Sequence, residues 1–409
     1  MNRPHIMVLN VFFAPNSYGG ATVVAEEVAH ALRRNAGWRV TAVSLISRSD
    51  LVAFAVIKSE TDGITSYLIN LPPDRPYCEG YNAPQLGDCI ARLMDHLTPD
   101  LVHAHCLQDM GAGVIELAKS RQIPVVLSVH DFWWICERQF MTRLDGTYCG
   151  QSPVRLRDCR GCVANYSAAQ TRQAFLRRQA ALADLVTYPS RFALDLCEAS
   201  NLAPGKGVHW ENGVHLPGPD FLDMQAARRA GNGKRSFGFL GGPSDLKGWP
   251  DIRRAFAGVA RDDFTVHLAD GSADGAWWRN HRFDDLPGDW VVHPRFAQSG
   301  MDAFYAQIDV LLFMSQWKET FGLALREALA RGIRVIQTDS GGTTEHSALR
   351  RGDLIPIGAG PHPLREQIMA MLERPKIETV PARMRSFDDQ ARQFMTLVAP
   401  ILEHRIRAA

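Results

Sequence analysis

A chain of 409 residues with 46% hydrophobic and 22% charged side chains is too long for one ordinary core, so two domains are expected. Its net charge of +1 supplies no global field for nucleic acid, and it has no apolar run of membrane-spanning length. The apolar start His5–Ala14 lacks a small-residue cleavage site and runs into Asn16-Ser17-Tyr18-Gly19-Gly20. It reads as a buried first strand and not as a secretory signal, and a cytoplasmic protein is expected.

Strand-like and helix-like segments alternate almost throughout, the pattern of α/β domains with parallel sheets. In the first half, strands are expected at Ile6–Phe13, Val40–Ile46, Leu101–His105, Val125–Val129 and Leu185–Tyr188. Helices are expected at Thr22–Arg34, Ala83–His96 and Met110–Ser120. In the first of these, Val24, Val28 and Leu32 form a stripe, and Glu26 and Glu27 precede Arg33 and Arg34 in the order a helix dipole favours. The turn-rich stretch from Asn212-Gly213-Val214 to Pro217-Gly218-Pro219 marks a domain boundary. A second series follows, with strands at Ser236–Leu240, Phe264–Leu268, Trp290–His293, Val310–Met314 and Val335–Thr338. Its helices are read at Gly248–Val259, Met301–Ile308, Gly322–Arg331 and Pro363–Leu372, and an amphipathic helix is read at Asp388–Arg405.

Several polar groups sit where such strands end. Gly19-Gly20, between the first strand and first helix, is either a tight turn or a backbone cradle for a diphosphate. It is neither G-x-G-x-x-G nor G-x4-G-K-[ST], so dehydrogenase and P-loop readings find no support. His130 follows an apolar strand and precedes Asp131, a setting for a sugar contact or for a structural His–Asp pair. His103 and His105 end the preceding strand in the same way. Cys136, Cys149, Cys159 and Cys162 suit a structural zinc or are ordinary thiols; only Cys159-x-x-Cys162 has close ligand spacing. From Arg138 to Arg191 there are nine arginines and no lysine. Arg172, Arg177 and Arg178 are expected on an exposed helix face, either solvated or facing an anionic membrane or lipid diphosphate.

Lys247 stands just ahead of a helix start, placed to bring a point charge to a phosphate or to sit solvated on the surface. Glu319 and Glu327 stand eight residues apart around Phe321-Gly322-Leu323, where a strand turns into a helix. Helix N-termini favour anions, whereas carboxylates accept hydrogen bonds from hydroxyls, so this turn suits a ligand with phosphate at one end and polyol at the other. The bland alternative leaves Glu327 outside the helix's apolar arc, paired in solvent with Arg331.

Taken in order, Gly19-Gly20, His130-Asp131, Asn212-Gly213-Val214, Lys247-Gly248, Glu319-x7-Glu327 and Gly341-Gly342 resemble the motifs of retaining family-4 glycosyltransferases, over nearly the whole chain. The resemblance implies the GT-B fold, two Rossmann-like doubly wound domains facing across a cleft. Residues 1–213, with 386–409 packing back on them, would form the acceptor side, and residues 214–385 the nucleotide-sugar domain. It implies a nucleotide-diphosphate sugar as donor, UDP- or GDP-linked, and a glycan, lipid-linked or small-molecule acceptor in surface polysaccharide synthesis, with peripheral contact to the inner membrane face. Glu319 would hold donor-sugar hydroxyls, Glu327 the ribose, and His130 would orient sugar or acceptor. Lys247, the Phe321-Gly322-Leu323 backbone and Gly19-Gly20 would face the diphosphate. No catalytic cofactor is implied, and Asp262-Asp263 and Asp284-Asp285 lie in polar loops unsuited to a catalytic metal, so metal-independent transfer is expected. The family's Gly-Arg-Leu is Gly241-Gly242-Pro243 here, and Arg191 and Arg295 are the candidates to replace the absent arginine. A nucleotide-sugar epimerase, a phosphorylase or a non-catalytic nucleotide-sugar-binding homologue would share the fold.

Overall fold

The structure is a computed structural model that describes residues 3–231, 233–272, 274–349, 354–375 and 380–408. It divides into two compact units: Met1–Phe140, Gln151–Gly213 and Arg385–Ala409 form one, Met141–Gly150 and Val214–Met384 the other.

The first unit carries β1 (His5–Leu9), α1 (Gly20–Ala36), β2 (Arg39–Ile46), β3 (Val56–Thr61), β4 (Ile64–Asn70), α2 (Pro84–Leu97) and β5 (Leu101–Ala104). It continues with α3 (Val114–Ser120), β6 (Val125–Ser128), α4 (Tyr166–Leu182), β7 (Leu185–Tyr188), α5 (Arg191–Ala199) and β8 (Gly207–His209). Among the described residues the strands form one sheet in the order β3-β4-β2-β1-β5-β6-β7-β8, parallel except for the antiparallel β3–β4 pair. The order in which strands are added reverses between the parallel neighbours β1 and β5, the kind of switch point beyond whose carboxyl ends doubly wound sheets hold ligands. β1, β5 and β6 are buried along their whole length, as central parallel strands covered on both faces require. α1 stops at Gly37, whose left-handed conformation (φ 65°) caps the last carbonyls.

The second unit carries α6 (Phe221–Gly231), β9 (Arg235–Phe239), α7 (Trp249–Ala257), β10 (Phe264–Ala269), β11 (Asp289–His293), α8 (Met301–Ala306) and β12 (Val310–Phe313). α9 (Leu323–Ala330), β13 (Arg334–Thr338), β14 (Leu354–Ile355) and α10 (Pro361–Glu373) complete it. The described strands are all parallel, in the order β11-β10-β9-β12-β13-β14, and the order reverses between β9 and β12. Phe237, Phe239, Trp249, Phe256, Phe264 and Trp278 build its core on one face of the sheet.

The last helix, α11 (Phe387–Ala408), belongs to the first unit. Phe387, Ala391, Phe394 and Val398 recur at helical spacing and are buried. Phe394 stacks on His103 at 4.6 Å and lies 5.2 Å from Trp210. Gln390 Oε1 accepts from the Gly213 N–H at 2.7 Å, and the Gln390 carbonyl accepts from Trp210 Nε1 at 3.1 Å. A Cβ on Gly213 would sit 2.4 Å from the Phe387 nitrogen, so the glycine of Asn212-Gly213 lets α11 close on the first unit. Among the described residues no helix is long and apolar enough to cross a membrane.

Candidate active site

The second unit gathers polar groups where its sheet order reverses. β12 ends at Phe313, and the chain continues through Met314 and Ser315 to Glu319, then turns at Gly322 into α9. Gly322 (φ 82°) begins α9 with no side-chain cap, so the N–H groups of the first turn face outward without an intrahelical acceptor. After β9, Ser244 caps a short turn, Asp245–Lys247, by accepting from the Lys247 N–H at 3.3 Å. Two contacts press this turn against the end of β12. The Gln316 N–H donates to the Leu246 carbonyl at 2.8 Å, and Gly248 (φ 75°) packs so closely that a Cβ would lie 2.1 Å from the Met314 carbonyl oxygen.

Lys247 Nζ therefore reaches Glu319 Oε1 at 2.6 Å. Ser315 Oγ donates to the same oxygen, and Lys247 also lies 5.8 Å from the Trp317 ring centroid. The backbone of Glu319 is fixed independently: its N–H donates to Ser340 at 3.0 Å, and its carbonyl accepts from Gly342 at 2.9 Å. Beside this pair lies a small cavity of about 80 Å³, lined by Leu240, Gly241, Lys247, Met314, Ser315 and Ala324 among others. A larger cavity of about 490 Å³ in the same unit shares none of those residues. Placement at the reversal point, with a cation and a helix start, favours the smaller one as the site of chemistry.

Arg326 ties the turn together. It is 2% exposed, stacks on Phe321 at 3.8 Å, and donates to the carbonyls of Phe321, Gly342 (2.9 Å) and Glu345 (3.1 Å). Neither Arg326 nor Ser315 is evident as a site residue in the sequence, because their partners are backbone atoms or lie across a turn.

Glu327 departs from the solvated alternative. It is buried, accepts from Tyr305 Oη at 3.3 Å, and offers its backbone carbonyl to Arg331 at 3.0 Å. Arg331 is itself buried and pairs with Asp302 at 2.6 Å. Among the described residues, no hydrogen bond or ion pair joins Glu327 to Lys247 or Glu319. Burial raises its carboxyl from 4.5 to about 7, against the opposing pull of Arg331 and the Tyr305 hydroxyl. A raised folded value means that the native chain keeps a proton which the unfolded chain releases, so stability falls as pH climbs from about 4.5 to about 7. Glu327→Gln removes that loss. Urea midpoints should show the variant gaining on wild type by on the order of 2 kcal/mol between pH 5 and pH 8. An unchanged difference at the two pH values would contradict the buried placement.

In the first unit, Gly19 (φ 83°) precedes α1 without a side-chain cap, and both Gly19 and Gly20 are exposed. A Cβ at Gly19 would meet nothing within 4 Å, so the backbone angle and not crowding accounts for the glycine. His130 does not pair with Asp131. Its Nε2 lies 2.8 Å from His105 Nδ1, while Asp131 accepts from Gln139 (2.6 Å), Gln108 (3.0 Å) and the Trp133 N–H (2.8 Å). Burial lowers His130 to about 4, leaving it neutral at pH 7.

Three expectations are corrected. Among the described residues no three His, Cys, Asp or Glu side chains come together as a metal site, so Cys136, Cys149, Cys159 and Cys162 remain separate thiols. Cys159 and Cys162 share a single turn, closed by the Cys162 N–H on the Cys159 carbonyl at 2.8 Å. Arg172 is not on an exposed face: it is 5% exposed, donates to the Trp133 carbonyl at 2.6 Å and lies over the Trp133 ring at 4.9 Å. Arg177 is half-buried on the Ser200 carbonyl, whereas Arg178 is exposed as expected and lies 3.6 Å from Glu116, so one of the three arginines is left on an exposed face. Arg191 and Arg295 are both exposed.

Residues 18–216 match the family model described as Glycosyltransferase Family 4, and residues 234–374 the model described as Glycosyl transferases group 1. No curated protein matches the chain. The structure is similar to sucrose-phosphate synthase from Thermosynechococcus elongatus, at 16% identity over 99% of this chain and 98% of that one, with a TM-score of 0.63. It is similar to a glycosyltransferase from Rickettsia africae, at 14% identity over 98% and 99% of the two chains and a TM-score of 0.63. Anabaena HepE in complex with UDP and glucose gives 16% identity over 98% of each chain and a TM-score of 0.59. At these identities the likenesses establish a common fold.

Proposed function

Since the chain belongs to the family-4 glycosyltransferases and has their GT-B fold, we propose that it transfers a sugar, with retention and without a metal ion, from a nucleotide-diphosphate sugar to an acceptor hydroxyl. The observation that carries this reading is the Lys247–Glu319 pair at the reversal point of the second sheet. An ammonium has three N–H donors and Glu319 takes one, so Lys247 can also hold a diphosphate oxygen. The N–H groups opening α9 at Leu323 and Ala324 add a second source of positive potential. Both act where charge grows as the anomeric C–O bond to diphosphate breaks. The acceptor oxygen bonds to the anomeric carbon on the same face, and its proton passes to the departing phosphate oxygen. Glu319 holds the donor sugar through its hydroxyls, and Glu327 the ribose. Gly19-Gly20 and His130 serve the acceptor side, with a glycan, lipid-linked or small-molecule acceptor.

Metal independence is supported by the engagement of the paired aspartates. Asp263, Asp284 and Asp285 are each held by an arginine at 2.5 to 2.9 Å, so none forms an open carboxylate pair. HepE, solved with UDP and glucose, makes UDP-sugars the first donors to try. A thermal-shift series with UDP, GDP and ADP should show stabilisation by one of them, and Lys247→Ala should cut its affinity at least tenfold. Absence of any shift at millimolar nucleotide, together with no hydrolysis of the matching nucleotide sugars, would sink the reading.

A further inference from the structure

A cavity of about 500 Å³ opens in the first unit where β2 and β4 begin, at the end of the sheet opposite to Gly19-Gly20. Arg33 reaches it from the last turn of α1, Trp38 from the link to β2, and Arg39 from the start of β2. Lys58 comes from β3 and His96 from the last turn of α2. Strand pairing sets Thr41 opposite Thr65 and Tyr67 opposite Lys58, so these four side chains share one face of the sheet. Among the described residues no carboxylate lines the cavity, in a chain whose 45 basic and 44 acidic residues otherwise balance.

Protein groups leave most of these donors open. Arg39 uses only Nη2, on the Leu97 carbonyl at 3.1 Å and on His5 Nδ1 at 2.7 Å, so its Nε and Nη1 have no acceptor among the described residues. Burial first and the Arg39 charge second lower His5 to about 4, and the ring stays neutral beside the guanidinium. Asp100 accepts from the His5 N–H at 2.8 Å. The Arg33 guanidinium lies against Gly63, where a Cβ would overlap it. Glu60 and Asp62, exposed on the same hairpin as Lys58, form an ion pair with neither Arg33 nor Lys58 among the described residues. Trp38 is 8% exposed, and its indole N–H has no acceptor among the described residues. A cation at Arg33 also offsets the α1 dipole, but Lys58, on a strand, has no such role. Ammonium and guanidinium groups form charge-assisted bonds with phosphate oxygens, and a polyanion matches three neighbouring cations better than a single carboxylate does.

We propose that this cavity is a second anion site, in which Arg33, Arg39 and Lys58 take a phosphate-bearing ligand with the hydroxyls of Thr65 and Tyr67 beneath it. The ligand is a soluble phosphorylated molecule or the headgroup of an anionic lipid, which present the same oxygens. The site shares no residue with the Lys247–Glu319 pair, and it stands whether or not the chain transfers a sugar.

The test uses the full-length chain carrying Lys247→Ala, so that the probe is not held at the proposed donor site. Titration calorimetry with tripolyphosphate at low salt should show saturable binding, weakened about tenfold by Arg33→Gln with Lys58→Gln and about threefold by Lys58→Gln alone. Both side chains are exposed, so the urea midpoint should stay at its starting value. Flotation with vesicles of phosphatidylglycerol and phosphatidylcholine, against phosphatidylcholine alone, identifies the source. Retention on the anionic vesicles that the double variant loses assigns a lipid headgroup. Tripolyphosphate binding without vesicle retention assigns a soluble ligand. The proposal is overturned if neither probe binds, or if the double variant binds both as its parent does.

Discussion

Glu319→Ala should lower kcat/KM for sugar transfer by about 10³-fold, because it removes the acceptor proposed to grip the donor sugar and frees Lys247 from its 2.6 Å partner. Glu319→Gln keeps one acceptor oxygen and the side-chain length, so its loss should be about tenfold smaller. Folding should survive in both, since the Glu319 backbone is held by Ser340 and Gly342 independently of its side chain. The measurement is initial rates with the nucleotide sugar identified by the thermal-shift series. Near-wild-type turnover in the alanine variant would remove Glu319 from the reaction.

The second large effect concerns stability. Gly248→Ala puts a methyl group where the Met314 carbonyl oxygen lies at 2.1 Å, at a backbone angle of φ 75° that side-chain-bearing residues rarely adopt. The obstacle is backbone at the end of a central strand, so relaxation must move either β12 or the Lys247 turn. A loss of about 3 kcal/mol or more is expected in urea unfolding. Donor affinity should fall with it, since Lys247 is the adjacent residue. A variant with wild-type midpoint and nucleotide affinity would show that the turn is not seated against β12 as described.

The α/β architecture was legible because buried parallel strands read as continuous apolar runs and their helices as 3.6-residue stripes. Boundaries were less so. β1 was expected to run to Phe13, yet it ends at Leu9, where Asn10 turns its side chain to the Phe12 carbonyl and Thr22. The helix expected from Met110 begins at Val114, because Gly111 (φ 85°) packs against the backbone of Ala83. The β3–β4 hairpin was not read, although Asp62-Gly63 between its strands, both at positive φ, is a hairpin-turn signature. Edge strands alternate weakly and give little periodicity to see.

Site chemistry divides along the same line. Lys247 and Glu319 stand out in the sequence because each ends a recognisable strand-turn-helix junction. What lies behind them did not. Ser315 on Glu319, Tyr305 on Glu327 and His105 on His130 are contacts over 4, 22 and 25 residues, which no local pattern encodes. Glu327 shows the cost of judging from a helical wheel: its arc looked solvent-facing until α8 supplied Tyr305 to cover it. The zinc reading failed for a related reason, since spacing along the chain places only Cys159 and Cys162 near one another.

The manner in which α11 rejoins the first unit bears on how the protein is made. On the ribosome, Trp210 and the His103 ring wait without their Phe394 cover while Val214–Met384, nearly all of the second unit, is translated and free to fold. The first-born half is thus the last to be finished, and shortening the chain before residue 387 should leave it aggregation-prone while sparing the later-born half.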